Sequence, residues 1–245
     1  PSNGWFIGQP LSVYRYYIVD GLWQNTPEDL AEIAEWKKNG YNFAPGQYKP
    51  KEVNKNYKLE DDDKQIVGNR SPKVVIGLTN TFNYKNWELS FFLYGRLGQK
   101  YYYNIDPNAS GDYVVYGRKA SLNDFWSEEN PNAKYPKLTS ASNVSDANVN
   151  RSANVHNGSF VSVRNISLGY TFKDKLLSKY SIRSLNVFAQ VINPFLFGGE
   201  VVKAGVNPED TNNLNSFNSV GDLQGATNNN TMMTTSFVFG LRLGF

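Results

Sequence analysis

The chain has 245 residues, with 25 lysines and arginines against 22 aspartates and glutamates, a single histidine and no cysteine. The scattered, nearly balanced charges exclude a nucleic-acid footprint, and the missing cysteines exclude disulfides, thiolate metal sites and cysteine catalysis. No stretch reaches the roughly 20 apolar residues that a membrane-spanning helix needs. A mean hydropathy of −0.51 still leaves a membrane barrel open, because only every second strand residue faces lipid and the loops are polar.

In chain order, a first strand is predicted over residues 10–20, carrying Tyr14, Tyr16 and Tyr17. Thr26-Pro27-Glu28-Asp29 then starts a helix: Thr caps it, Pro fits the first turn, and the acids meet the positive helix end. Leu30, Ile33, Ala34 and Trp36 give this helix an apolar side, and Gly40 stops it. Residues 74–84 alternate strictly, with Val74, Ile76, Leu78, Phe82 and Tyr84 on one face and Val75, Gly77, Thr79, Thr81 and Asn83 on the other. Lys85 and Asn86 make a tight turn into a return strand whose apolar face is Trp87, Leu89, Phe91, Leu93 and Leu97. A second short helix is expected over 121–130, anchored by Phe125 and Trp126.

Further on, Phe160, Ile166, Leu168, Tyr170 and Phe172 alternate with Val163, Asn165, Ser167, Gly169 and Thr171. A short connection over 173–181 leads to a strand with Leu185, Val187, Ala189 and Val191 on one face. Residues 212–230, rich in Asn, Ser, Thr and Gly, read as a long loop. The last strand sets Phe237, Phe239, Leu241, Leu243 and Phe245 against Ser236, Val238, Gly240, Arg242 and Gly244.

The connections sort by parity: long over 21–72, tight at Lys85 and Asn86, long over 104–157, short over 173–181, and long over 194–233. Outer-membrane barrels have this asymmetry, with short periplasmic turns and long extracellular loops; a soluble sandwich has no reason for it. Parity then puts the three long loops outside the cell and Phe245 at the periplasmic rim. Aromatic residues at 15% suit interfacial girdles. The fold class expected is therefore all-β: about six strands of a larger antiparallel transmembrane barrel, since a single-chain barrel needs at least eight and an open sheet would leave unpaired backbone groups in lipid. The whole of 1–245 is read as one C-terminal barrel segment. No signal peptide opens the chain and Pro1 is not an initiator residue, so a processed, cleaved or partial chain is expected.

Several segments in order resemble the SusC/RagA family of TonB-dependent outer-membrane transporters of Bacteroidota. They are residues 16–22 (YYIVDGL), the helix at Pro27, Pro45-Gly46-Gln47-Tyr48, residues 52–72 (EVNKNYKLEDDDKQIVGNRSP), residues 77–98, Asp124-Phe125-Trp126 through Tyr135-Pro136, residues 158–170 (GSFVSVRNISLGY), Asn193-Pro194-Phe195 and the Phe245 ending. The resemblance covers nearly the whole chain. It implies a plugged barrel of about 22 strands, a SusD-like surface lipoprotein partner, energisation by TonB through segments this sequence lacks, and no enzymatic activity.

Glu52, Asn54, Asn56, the Lys58 carbonyl, Glu60 and Asp63 overlay a calcium loop, a pattern the resemblance also implies. The sequence departs from it: Tyr57 stands where the sharp turn needs Gly, Asn56 replaces a carboxylate and Glu52 replaces Asp. Two readings stay open, a weak calcium loop and a metal-free acidic turn, with the second preferred. Tyr101, Tyr102 and Tyr103 read either as substrate-stacking rings or as an interfacial girdle, with the girdle preferred. Trp23, Trp36, Phe125 and Trp126 read as packing anchors. His156, a lone histidine, cannot make a multi-histidine metal site; a Ser-His pair with Ser159 or Ser162 lacks an elbow motif, so a loop hydrogen-bonder is expected. The leading function is a segment of an outer-membrane importer of oligomeric nutrients, glycans or peptides. The alternatives are a docking subunit of the same barrel family, a soluble secreted carbohydrate-binding β-domain, and a barrel enzyme.

Overall fold

A computed structural model describes residues 5–11, 13–102, 124–137, 149, 151–172, 182–203, 205–209 and 233–244. These form two compact units, one holding the described residues through Arg70 and from Tyr102 to His156, the other those from Ser71 to Tyr101 and from Asn157 onward.

In the first unit, strand β1 (Val13–Tyr16) pairs antiparallel with β4 (Gln65–Asn69), and β2 (Val19–Leu22) pairs with β3 (Tyr48–Pro50). Helix α1 (Pro27–Lys38) starts as its sequence dictates: Thr26 is the N-cap, its hydroxyl accepts from the Asp29 amide at 3.3 Å, and Glu28 and Asp29 sit in the first turn. Gly40, at φ 91°, ends it. Trp36 is the helix residue that reaches the core, where it meets Trp23, Phe43 and Val149, with Ile33, Tyr41, Tyr48, Tyr57 and Leu59 around them. Leu30, expected on the apolar side, is exposed. Lys49 closes the cluster. Its ammonium lies 4.4 Å from the Trp23 ring centroid and pairs with Asp29 at 2.8 Å and Glu32 at 2.6 Å. The backbone at Gly46, φ 87°, passes so close to Trp126 that an added Cβ would lie 2.5 Å from the ring.

The second unit is a five-stranded antiparallel meander: β5 (Val74–Tyr84), β6 (Trp87–Leu97), β9 (Phe160–Phe172), β10 (Ser184–Gly198) and β11 (Ser236–Gly244), paired in that order. Short strands β7 (Lys100–Tyr102) and β8 (Val155–Asn157) lie between β6 and β9 in the chain, and a one-turn helix α2 (Glu200–Lys203) follows β10.

Three expectations change here. The strand foreseen over 10–20 does not join this sheet: β1 pairs only with β4, so the sheet has five strands rather than six. Residues 124–130 form bridges and a turn, Phe125 to Tyr135 and Ser127 to Asn130, not a second helix. Strand β10 runs on through Asn193 and Pro194 to Gly198, beyond the boundary set for the loop at 194. The reason is a bulge. Asn193 takes φ 51°, and the register with β9 slips between Ile192 and Phe195, so Pro194 falls where no ladder donor is needed. Against β6 the register with β9 also slips, between Phe92 and Leu93, which leaves Arg164 as an extra residue in β9 and inverts the alternation beyond it: Val161 and Val163 join the face of Leu93, Phe195 and Phe197, while Phe160 and Ser162 turn to the other side.

The predicted turn at residues 173–181, the loop at 212–230, Tyr103 and Phe245 lie outside the described residues.

Candidate functional site

The register fixes what each face of the five-stranded sheet carries. Across one face run the rows Phe82–Leu89–Leu168–Ala189–Phe239 and Tyr84–Trp87–Tyr170–Val187–Leu241, with Val74, Ile76, Leu78, Leu243, Phe195 and Phe197 beside them. No charged residue interrupts it. Its side chains are nonetheless bare: Phe237 is 68%, Phe239 79% and Leu241 64% exposed. Each large apolar side chain left in water forgoes about 1.5–3 kcal/mol of burial, and a contiguous patch of this extent marks an interaction surface or a membrane. At the tight-turn end the face turns aromatic, with Trp87 against Tyr170 at 4.8 Å and Tyr170 against Phe172 at 4.9 Å.

The opposite face is mixed: Thr79, Thr81, Asn83, Glu88, Ser90, Asn165, Ser167, Thr171, Asn186, Gln190 and Arg242 make it polar for much of its extent, with Phe92, Tyr94 and Phe188 among them. Gly240 stands on it opposite Phe188, and a Cβ there would fall 2.4 Å from that ring. Arg242 covers the same ring at 5.0 Å. One cluster on this side escaped sequence reasoning. The Arg164 guanidinium, at the bulge, lies 5.1 Å from the Tyr94 centroid and its Nη2 donates to both carboxylate oxygens of Glu209, while Arg96 Nε donates to the Tyr94 hydroxyl at 2.8 Å. The only available signal was an arginine inside an otherwise regular strand.

The acidic loop is stitched by its own side chains. Glu52 accepts from the Asn54 amide at 3.1 Å, Asn54 from the Asn56 amide at 3.1 Å, and Asn56 from the Lys58 amide at 2.8 Å, in successive i to i+2 turns. Asp63 accepts from the Glu60 amide at 2.8 Å, and Asn56 Nδ2 donates to Glu60 at 3.1 Å. Tyr57 does take the left-handed conformation, φ 54°, that Gly would take in a calcium loop. Its ring explains why it is tolerated: it packs edge-on against Trp36 at 5.8 Å. These hydrogen bonds fold residues 52–63 into an acidic turn that docks on the α1 core through Tyr57. Beside it, Asp61 is held below the usual carboxylate range by hydrogen bonds from Arg15 and Lys64.

Tyr102 packs with Tyr14 at 6.3 Å and Tyr16 at 6.1 Å, and Tyr14, Tyr16 and Tyr17 are buried. Burial first, then neighbouring Tyr102, pushes the Tyr16 phenol well above its ordinary value. Tyr101 is half-buried. Trp23, Trp36 and Trp126 are buried anchors, and the Trp126 indole donates to Gln24 Oε1 at 2.9 Å. His156 lines a cavity of about 570 Å³ in the first unit with Asn132, Tyr135 and Asn154. Ser159 Oγ accepts from the Gly98 amide at 3.0 Å, and Ser162 Oγ donates to the Tyr94 carbonyl at 3.5 Å, so both serine hydroxyls are engaged by backbone.

No protein-family model matches the chain. It is 24% identical over 97% of its length to the TonB-dependent receptor P3 of Formosa agariphila, covering 22% of that protein. It is 29% identical over 64% of its length to the TonB-dependent receptor SusC of Bacteroides thetaiotaomicron, covering 15% of that protein. Its fold matches the structure of the RagAB peptide transporter over 79% of this chain and 20% of that one, with a TM-score of 0.54 at 18% identity. The chain thus spans about a fifth of the length of the curated relatives it matches. A sheet apolar on one side and polar on the other is thus carried by a sequence similar, along nearly its whole length, to a segment of TonB-dependent receptors such as P3 and SusC.

Proposed function

We propose that this segment forms part of the wall and outer loops of an outer-membrane transporter that imports oligomeric nutrients, glycans or peptides. The transporter acts with a SusD-like surface lipoprotein and is energised by TonB. The observation that carries the reading is the two-faced sheet: a charge-free apolar face with Phe239 79% exposed, backed by a face of threonines, asparagines, serines and paired arginines suited to a hydrated lumen. Strands β5 and β11 each leave one edge unpaired among the described residues. In lipid such edges cost several kcal/mol per backbone group, so further strands belong beside them, in a barrel of the roughly 22-strand class.

In this reading the turn at Lys85 and Asn86 is periplasmic, and the loops over 21–72, 104–157 and 194–233 face outward. The loop over 21–72 carries a core of its own built on Trp23 and Trp36. Tyr101, Tyr102 and Tyr103 are read as an interfacial girdle. The loop at 52–63 braces α1, with calcium as an optional further ligand.

The test uses the complete receptor in its own bacterium. Deleting its gene should abolish growth on one oligosaccharide or oligopeptide and leave growth on the monomer intact, and the protein should leave the membrane fraction only with detergent. A receptor found in the soluble fraction, or a deletion strain with unchanged uptake of every oligomer tried, would overturn the reading.

A further inference from the structure

The apolar face is not flat. Around Ala189 it sinks into a groove of about 570 Å³, lined almost wholly by carbon, between Trp87, Tyr170 and Phe172 on one side and Phe239 and Leu241 on the other. The register explains its shape. Ala189 stands between Leu168 and Phe239 in its cross-strand row, and Val187 between Tyr170 and Leu241 in the next. Two small side chains at i and i+2 on β10 therefore make a floor, and ring stacks on β6 and β9 make one wall. The groove spans β6, β9, β10 and β11 with its floor on β10, and strands of a barrel wall run through the bilayer at a tilt of about 35–45°.

Two cations mark its end. Lys85 occupies the tight turn next to the Tyr84–Trp87 pair, with its ammonium 5.3 Å from the Tyr84 centroid. Arg183 immediately precedes β10, and its amide donates to the Gly244 carbonyl at 2.8 Å. Both lie within a few residues of the rows that line the groove.

We infer that this groove is a discrete phospholipid site, with one acyl chain lying along β10 over Ala189 and Val187 and the phosphate held near Lys85 and Arg183. Water cannot be the intended occupant of a carbon-lined groove on a membrane face. Bulk acyl chains are as apolar as the wall, so burial alone gives no preference for one bound lipid. The preference comes instead from close contact along the aromatic wall of β6 and β9 and the Phe239–Leu241 wall, and from the two cations at the end, which fix where the headgroup stops. The inference rests on the membrane-wall reading of the sheet and is independent of what the receptor transports.

The complete receptor, purified in detergent and stripped of lipid, would be titrated with phosphatidylglycerol and phosphatidylethanolamine and weighed by native mass spectrometry. One phospholipid should bind ahead of the rest and with either headgroup, because the phosphate is shared. Ala189→Phe, which fills the floor on a lipid-facing position, should lower its affinity at least tenfold. Lys85→Ala with Arg183→Ala should weaken it severalfold, and Leu78→Phe, elsewhere on the same face, should change nothing. Circular dichroism on each variant establishes that the sheet is formed. Equal lipid occupancy in the wild type and Ala189→Phe would overturn the inference. So would a change of oligomeric mass in place of lipid count, because the groove would then seat protein. Failure of the underlying membrane reading looks different: the wild type would stay soluble without detergent.

Discussion

The two units handle the same residue types in opposite ways. In the first, tryptophans are sealed away, with Trp23 and Trp36 at 0% and 1% exposure, and charges such as Lys49, Asp29 and Glu32 ring the core in compact pairs. In the second, phenylalanines and leucines stand outward in continuous rows and the polar residues lie behind them. A sequence that can build a dry core in one unit has no need to leave Phe239 bare in the other. On the proposed membrane-wall reading the difference is one of solvent: the first unit completes its core with its own residues, and the sheet completes its core with lipid.

The largest effect that would sharpen this contrast is expected at Trp36. Trp36→Ala removes the central ring, which meets Tyr41, Phe43 and Tyr57 edge-on at 5.4–5.8 Å. It should destabilise the first unit by about 3–5 kcal/mol. Limited proteolysis of the receptor in detergent should then cut within the loop that carries α1 and leave the β5–β11 sheet whole. Simultaneous loss of both regions would break the idea that the first unit has a core of its own.

Next in size is a charge placed on the lipid face. Phe239→Arg should weaken folding into bilayers by about 2–4 kcal/mol if that residue lies near the bilayer midplane. Thr81→Arg, on the polar face, should change stability by less than about 0.5 kcal/mol. Refolding the receptor into lipid vesicles from urea measures both. Equal penalties on the two faces would mean that the sheet does not separate lipid from water.

How much of this was legible in the sequence depends on what each residue reports. Alternation in 74–84, 87–97 and 236–244 states the two faces directly, because the side-chain period of a strand does not depend on its neighbours. The cap at Thr26 and the stop at Gly40 are equally local. What stayed hidden was set by partners far away in the chain. Nothing near Tyr14 says that β1 pairs with β4 and leaves the large sheet, since a tyrosine-rich strand fits either place. The inversion at Arg164 is a bulge in β9 set by its registers with β6 and β10, so Val163 lies on the face opposite to the one that plain alternation predicts. In the acidic loop, composition leaves a weak calcium loop and a metal-free turn open, and the i to i+2 hydrogen bonds that fold it depend on a backbone path that composition does not state. Tyr57 keeps its unfavoured φ because of Trp36, a contact between two segments that no local pattern reveals.

The smallest effect tests the aqueous side of the comparison through pH. Asp61 sits on the surface of the first unit and accepts from Arg15 at 2.8 Å and from Lys64 at 3.1 Å, which lowers its pKa. A carboxylate with a depressed folded-state pKa binds fewer protons folded than unfolded. Its contribution is therefore complete above the unfolded value near 4 and is lost as pH falls through the lower folded value. Because Asp61 is largely exposed, water screens the pair and the contribution stays under about 1 kcal/mol. Asp61→Asn should remove a small part of the acid sensitivity of the first unit below about pH 4, and 0.5 M salt should do much the same to the wild type, since exposed pairs are screened. The lipid-facing sheet has no such charge on its apolar side, so its unfolding in vesicles should show neither effect. An acid transition of the sheet that moved with Asp61→Asn would mean that the two units do not respond to their solvents separately.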